Sequence, residues 1–138
     1  MASQQELDLV FVKMAFTFSE LSKANRRKVG CIIVKDGQII SNGFNGTPSG
    51  FDNSCEIDNV TKPEVLHAES NALMKLAQST NSSKGATLYL TCAPCFDCSK
   101  LIIQAGISRV VYTHNYRKED GLDLLSKTNV IVDYVCFR

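Results

Sequence analysis

The chain has 138 residues, 44% of them hydrophobic and 21% charged, with a formal net charge of +1. That balance suits a single soluble domain over 1–138 with one core, and argues against a broad nucleic-acid surface. No apolar run approaches a membrane span, the start is acidic ahead of its first apolar run, unlike a signal peptide, and six cysteines in that setting point to thiols in a reducing, cytoplasmic compartment.

Leu7, Val10, Phe11, Met14, Phe18 and Leu21 recur at helical spacing. They predict a helix over 5–23 whose stripe packs on the core. Ala24-Asn25-Arg26-Arg27-Lys28 follows as a basic exit. It reads either as a solvated helix end, where cations suit the dipole, or as a phosphate contact made by Arg26. The residues alone do not separate the two.

Runs at 29–34 and 38–44 flank Lys35-Asp36-Gly37, and Asp-Gly between β-rich runs predicts a hairpin. Cys31 reads as a small core residue. The stretch Gly43-Phe44-Asn45-Gly46-Thr47-Pro48-Ser49-Gly50 predicts a tight loop whose backbone can approach a ligand, although an ordinary turn has the same composition. The segment 51–66 is polar and irregular. Cys55 within it reads as a free thiol, because no second His/Cys cluster accompanies it.

A second helix is expected over 66–79, a strand over 87–91, and a third helix over 95–105. That third helix has Leu101, Ile102 and Ala105 as its apolar side and Gly106 as its stop. A strand at 109–113 leads into the loop from His114 to Gly121, at a strand end where α/β sheets bind ligands. A short helix at 122–127 and a strand at 130–136 complete the chain, with Cys136 read as packing and His114 as lining the loop. A helix between the last two strands favours a parallel pair. The expected architecture is α/β: a mixed five-stranded sheet with helices on both faces.

The chemistry concentrates in His67-Ala68-Glu69 and Pro94-Cys95-Phe96-Asp97-Cys98, separated by 24 residues. Zinc binds imidazole nitrogen and thiolate sulfur, and a catalytic site uses three protein ligands with a fourth position open. His67, Cys95 and Cys98 supply three. The cysteines stand at i, i+3, on one side of a helical turn, and Pro94 ahead of them suits a helix start. A helix N-terminus favours thiolate over thiol. Glu69 is not needed as a ligand, and two residues from one it is placed to move protons.

Other readings of the same residues stay open. Cys-x-x-Cys alone also marks redox pairs and structural zinc half-sites. Cys92, Cys95 and Cys98 are evenly spaced, and with His67 they could close a four-ligand structural site. Against that, Cys92 falls at the strand-to-helix turn and off the helix face.

These motifs resemble the zinc-dependent cytidine and deoxycytidylate deaminase superfamily. The resemblance runs from about Met14 onward. It is carried by Lys28-Val29-Gly30, the Gly43–Gly50 stretch, His67-Ala68-Glu69-Ser70-Asn71-Ala72, Pro94-Cys95-Phe96-Asp97-Cys98, and Val111-Tyr112 with Tyr116. Asn45-Gly46-Thr47-Pro48-Ser49-Gly50 narrows it to the deoxycytidylate branch. The resemblance implies a three-layer α/β/α cytidine-deaminase-like fold. It implies hydrolytic deamination of dCMP to dUMP for thymidylate synthesis, with catalytic Zn2+ and Glu69 as the proton carrier. It also implies that Asn45 contacts the substrate's sugar or phosphate, that the Ala68 backbone meets the pyrimidine, that Tyr116 lines the pocket, and that Arg26 takes the phosphate. A homohexamer activated by dCTP and inhibited by dTTP with Mg2+ is implied as well, the effector site involving Gly43, Phe44, Asn45 and Gly46. Phe44 stands where Tyr is common in the family, which removes one hydroxyl.

Three other functions compete. A tRNA or single-strand DNA deaminase needs a cationic, aromatic surface, which a charge of +1 and the absence of Trp disfavour. A zinc-stabilised binding module requires Cys92 as a ligand. A Cys-x-x-Cys oxidoreductase requires disulfide exchange by the metal-free protein.

Overall fold

In the computed structural model, residues 1–136 are described. Helix α1, Gln4–Ser19, starts at a capping box: Ser3 Oγ accepts from the Glu6 N–H while Glu6 accepts from the Ser3 N–H. It is shorter than the expected 5–23. After Ser19 the chain turns, and the Ser22 hydroxyl donates to the Asn45 carbonyl at 2.8 Å, which draws it off the helix axis. Of the expected stripe, Leu7, Phe11, Met14 and Phe18 pack on the core and Val10 and Leu21 do not. Phe11, Val12 and Ala15 are buried, whereas Val10 is 50% and Leu21 53% exposed.

Strands β1 (Gly30–Lys35) and β2 (Gln38–Phe44) form the expected hairpin. Asp36 and Gly37 both take positive φ, 51° and 75°, which matches the right-handed twist of the strands. The segment expected to be irregular contains a second, small hairpin, β3 (Glu56–Ile57) and β4 (Val60–Thr61). Two-residue strands are too short to leave a periodicity in the sequence. Asp58 and Asn59, at φ 52° and 65°, make its turn.

Helix α2 is Ala68–Ala77, β5 is Thr87–Cys92, α3 is Phe96–Gln104, β6 is Arg109–His114, α4 is Asp120–Ser126 and β7 is Ile131–Tyr134. Cys92 is thus the last residue of a strand and not part of a turn. On α3 Ile102 is buried and Ala105 packs against the core as expected, whereas Leu101 is 44% exposed and Cys98 and Ser99 are buried in its stead. The last strand stops at Tyr134, and Cys136 is exposed, not packed.

The main sheet runs in the order β2-β1-β5-β6-β7. The β1 strand pairs antiparallel with β2 and β5, and β5, β6 and β7 are parallel. This is the expected mixed five-stranded sheet. Alternation along β1 and β5 divides the core in two. Ile32, Val34 and Tyr89 face α1, whereas Cys31, Ile33, Leu88 and Leu90 face the side of α2, α3 and α4. Gly43 is where β2 meets α2 at closest range. A β-carbon there would overlap the Ala68 carbonyl and lie 2.8 Å from the Ala72 amide nitrogen. Among the described residues no helix is long and apolar enough to cross a membrane.

Candidate active site

Two helix N-termini meet where β5 and β6 end. His67 is the N-cap of α2, with extended backbone (φ −73°, ψ 160°), and Cys95 is the N-cap of α3 (φ −73°, ψ 173°). Capping positions place a side chain beside unpaired backbone N–H groups. Cys95 Sγ accepts from the Cys98 N–H at 3.5 Å, which fixes the Cys-x-x-Cys turn. His67 Nδ1 lies 3.5 Å from Cys95 Sγ and 3.3 Å from Cys98 Sγ. One ligand atom from each of the three lies within 4.8 Å of the others. The donor set, one imidazole nitrogen and two sulfurs, fits zinc and leaves room for a fourth ligand.

Electrostatics favour the same grouping. Hydrogen bonds from Cys98 and His67 hold the Cys95 thiol down to about 4, against the effect of burial. The same hydrogen bond, with the Cys98 thiol donating to the Cys95 sulfur, and burial push Cys98 up, and the hydrogen bond to Cys95 raises His67. Glu69 is 4% exposed. Burial pushes its carboxyl up to about 7, while its own backbone N–H and the nearby His67 pull the other way. A carboxyl with a pKa near neutrality can both take and give a proton at pH 7.

Cys92 is outside the ligand group. Its thiol donates toward the Asn115 carbonyl at 4.0 Å, and burial pushes its pKa up. The ligand atoms that cluster among the described residues are those of His67, Cys95 and Cys98, so the geometry disfavours a closed four-ligand site. His114 also stands apart, edge-on to the Phe16 ring at 5.6 Å.

His67, Cys95 and Glu69 line a cavity of about 420 Å³, and Cys98 sits behind them, outside its wall. Arg26, Asn45, Ala68 and Tyr116 line the same cavity, so all four residues singled out for substrate come together. Asn45 is committed locally. Its Oδ1 accepts from the Val29 N–H and its Nδ2 donates to the Arg27 carbonyl, both at 2.8 Å. It therefore braces the basic loop. Ala68 is fully buried at the first turn of α2, and Tyr116 stacks under the Arg117 guanidinium at 5.8 Å. Gly43, Phe44 and Gly46 are not in the cavity wall. Gly43 is a packing position, and the Phe44 ring sits under the Lys75 ammonium at 5.6 Å.

Sequence reasoning missed Arg27, Arg117, Cys55, Glu56 and Thr61, which also line the cavity. The basic exit pointed to Arg27 and the loop after β6 to Arg117. Nothing local marks Glu56 or Thr61, which arrive on the small hairpin.

The chain matches, over residues 5–114, the family described as "Cytidine and deoxycytidylate deaminase zinc-binding region". It is 33% identical to a deoxycytidylate deaminase of Enterobacteria phage T4, over 78% of this chain and 77% of that protein. It is 35% identical to the Saccharomyces cerevisiae deoxycytidylate deaminase over 94% of this chain but 45% of that protein, so it spans under half the length of that relative. A crystal structure of the dCMP deaminase from cyanophage S-TIM5, in complex with dCMP and dUMP, superposes with a TM-score of 0.94 at 46% identity, covering 97% of this chain and 100% of that one. With a His-Cys-Cys cluster at two converging helix N-termini and a buried glutamate beside it, the chain belongs to the cytidine and deoxycytidylate deaminase family.

Proposed function

We propose that this single-domain chain hydrolyses dCMP to dUMP and ammonia, supplying dUMP for thymidylate synthesis. The observation that carries the reading is the shared cavity, lined by His67, Cys95 and Glu69 together with Arg26, Asn45, Ala68 and Tyr116. His67, Cys95 and Cys98 would hold zinc, which when bound lowers the pKa of a water and makes it a nucleophile near neutral pH. Glu69 takes a proton from the attacking water and passes it to the pyrimidine N3. It then carries the second proton to the 4-amino group. The C4–N bond breaks as the C4 carbonyl forms, and ammonia leaves. The Ala68 backbone, at an uncapped helix start, meets the pyrimidine edge. Tyr116 packs beside the ring and keeps water out. Asn45 holds the basic loop in shape, and Arg26 takes the 5′-phosphate.

The finer reading includes regulation. The Gly43-Phe44-Asn45-Gly46 stretch would form part of an effector site for dCTP as activator and dTTP with Mg2+ as inhibitor, in a homohexamer. Its support is the resemblance of that stretch to the deoxycytidylate branch. The substrate needs no nucleic-acid polymer and no membrane.

The test is direct. Zinc-loaded protein is mixed with dCMP, deoxycytidine and CMP, and the ultraviolet change and ammonia release are followed with and without dCTP, dTTP and Mg2+. Turnover of dCMP in strong preference to the other two supports the reading. Preference for deoxycytidine assigns the nucleoside branch and removes Arg26 from the site. A rate unchanged by dCTP and dTTP, or a monomer in sedimentation, overturns the regulatory part alone.

A further inference from the structure

The small β3–β4 hairpin grips the basic loop at Asn25 and Arg26. Glu56 and Thr61 are register partners across it. The Glu56 carboxylate accepts from the Asn25 N–H with both oxygens, at 3.2 and 3.0 Å, and from the Arg26 N–H at 3.2 Å. Thr61 Oγ1 accepts from Arg26 Nη1 at 3.4 Å. One rung of the hairpin thus holds Arg26 at both ends, backbone by Glu56 and guanidinium by Thr61. The Asp58-Asn59 turn has φ of 52° and 65°, and the Lys62 N–H continues the ladder to the Cys55 carbonyl at 2.8 Å. Asn45 fixes the far side of the same loop through Arg27 and Val29.

Arg26 is otherwise an exposed side chain on a loop, free to sample many rotamers. An acidic side chain beside a cavity that takes an anion is unfavourable on charge alone. That cost is offset by charge-assisted hydrogen bonds that the Glu56 carboxylate accepts from two successive backbone N–H groups. We propose that Glu56, with Thr61, is a positioning residue for phosphate recognition: the hairpin aims Arg26 into the cavity, and so sets the preference for a nucleoside monophosphate over the free nucleoside. The inference rests on the proposed function, because it needs Arg26 to be the phosphate ligand.

The experiment compares wild type, Glu56→Ala, Glu56→Gln, Thr61→Ala and Arg26→Ala on dCMP and deoxycytidine, with melting temperature recorded for each. The expected result is a KM for dCMP raised about tenfold in Glu56→Ala, with kcat changed less than about twofold. The same variant leaves kcat/KM for deoxycytidine close to wild type. Glu56→Gln, which retains an acceptor for the N–H groups, recovers part of the loss, and Thr61→Ala shows a smaller loss in the same direction. Equal losses on both substrates would assign Glu56 a structural role and overturn the proposal. So would an unchanged KM for dCMP in both Glu56 variants beside a raised one in Arg26→Ala. A wild type that does not prefer dCMP to deoxycytidine sinks the function reading itself, and this proposal with it. If Glu56→Ala fails to fold, the Gln and Thr61 variants decide the question by the same split.

Discussion

Gly121, in the first turn of α4, lies against the backbone that carries the cysteine ligands. A β-carbon at Gly121 would overlap the Pro94 carbonyl oxygen and stand 2.8 Å from the carbonyl oxygen of Cys95. The α4 helix therefore buttresses the turn that presents Cys95 and Cys98. Gly121→Ala must push that turn aside, because the opposing atoms are backbone and not a flexible side chain. The expected outcome is zinc affinity weakened roughly tenfold or more, with overpacking costing about 1–3 kcal/mol of stability. Competition with a chromophoric chelator measures the first and urea unfolding the second. Unchanged zinc affinity would show that the turn relaxes without cost to the metal site.

Glu69 sits where burial stabilises its neutral form. Glu69→Gln keeps the shape and the zinc ligands but cannot carry a proton. Deamination is expected to fall by a factor of about 10²–10⁴ or more, at unchanged zinc content. The same substitution has an opposite effect on the metal-stripped protein. The folded-state pKa is raised to about 7, above an unfolded value of about 4.3. The contribution of the neutral carboxyl is therefore complete below about pH 4 and lost as pH rises toward 7. Metal-free Glu69→Gln should be more stable than metal-free wild type at pH 8, by roughly 4 kcal/mol at most, and nearly equal to it at pH 4. Thermal unfolding at the two pH values reads the difference.

Cys92 lines the cavity without joining the ligand group. Cys92→Ser should bind zinc as wild type does, whereas Cys98→Ser should lose it. Metal analysis after dialysis against a weak chelator distinguishes them. Zinc loss from Cys92→Ser would restore the closed four-ligand reading.

Asp8 ties α1 to the sheet. It accepts from the Tyr89 hydroxyl at 2.6 Å and from both terminal nitrogens of Arg109 at 2.9 and 2.7 Å. Burial alone would raise its pKa, but the bonds from Arg109, Tyr89 and Gln4 outweigh burial and lower it. Its stabilising contribution is thus complete above the unfolded pKa of about 3.9 and fades as pH falls through the lower folded value. Asp8→Asn should cost about 2 kcal/mol at pH 7. The gap to wild type in urea midpoint should narrow as pH drops from about 5 toward 2. A gap independent of pH would mean that shape and not charge holds the contact.

Much of the site was legible in local chemistry. His67, Glu69, Cys95 and Cys98 declare themselves by residue type and spacing, and Pro94 marks the helix start that brings the sulfurs together. The Asp36-Gly37 turn was legible because positive φ at both positions favours those residue types. Periodicity placed every long element within a few residues and most of the buried face of α1, but not its centre on Asp8, Val12 and Ala15. That face is set by Asp8 reaching Tyr89 and Arg109, far along the chain. The β3–β4 hairpin left no trace, because two-residue strands have no period to read. Gly43 and Gly121 are plain glycines in the sequence, and only the stacking of α2 on β2, and of α4 on the cysteine turn, gives them a reason. Spacing, donor type and turn conformation belong to neighbouring residues, so the sequence by itself determined the metal cluster and the order of the long elements. Which loops close over that cluster, and what holds Arg26 there, was decided by the tertiary structure, because sheet order brings together backbone groups that lie tens of residues apart.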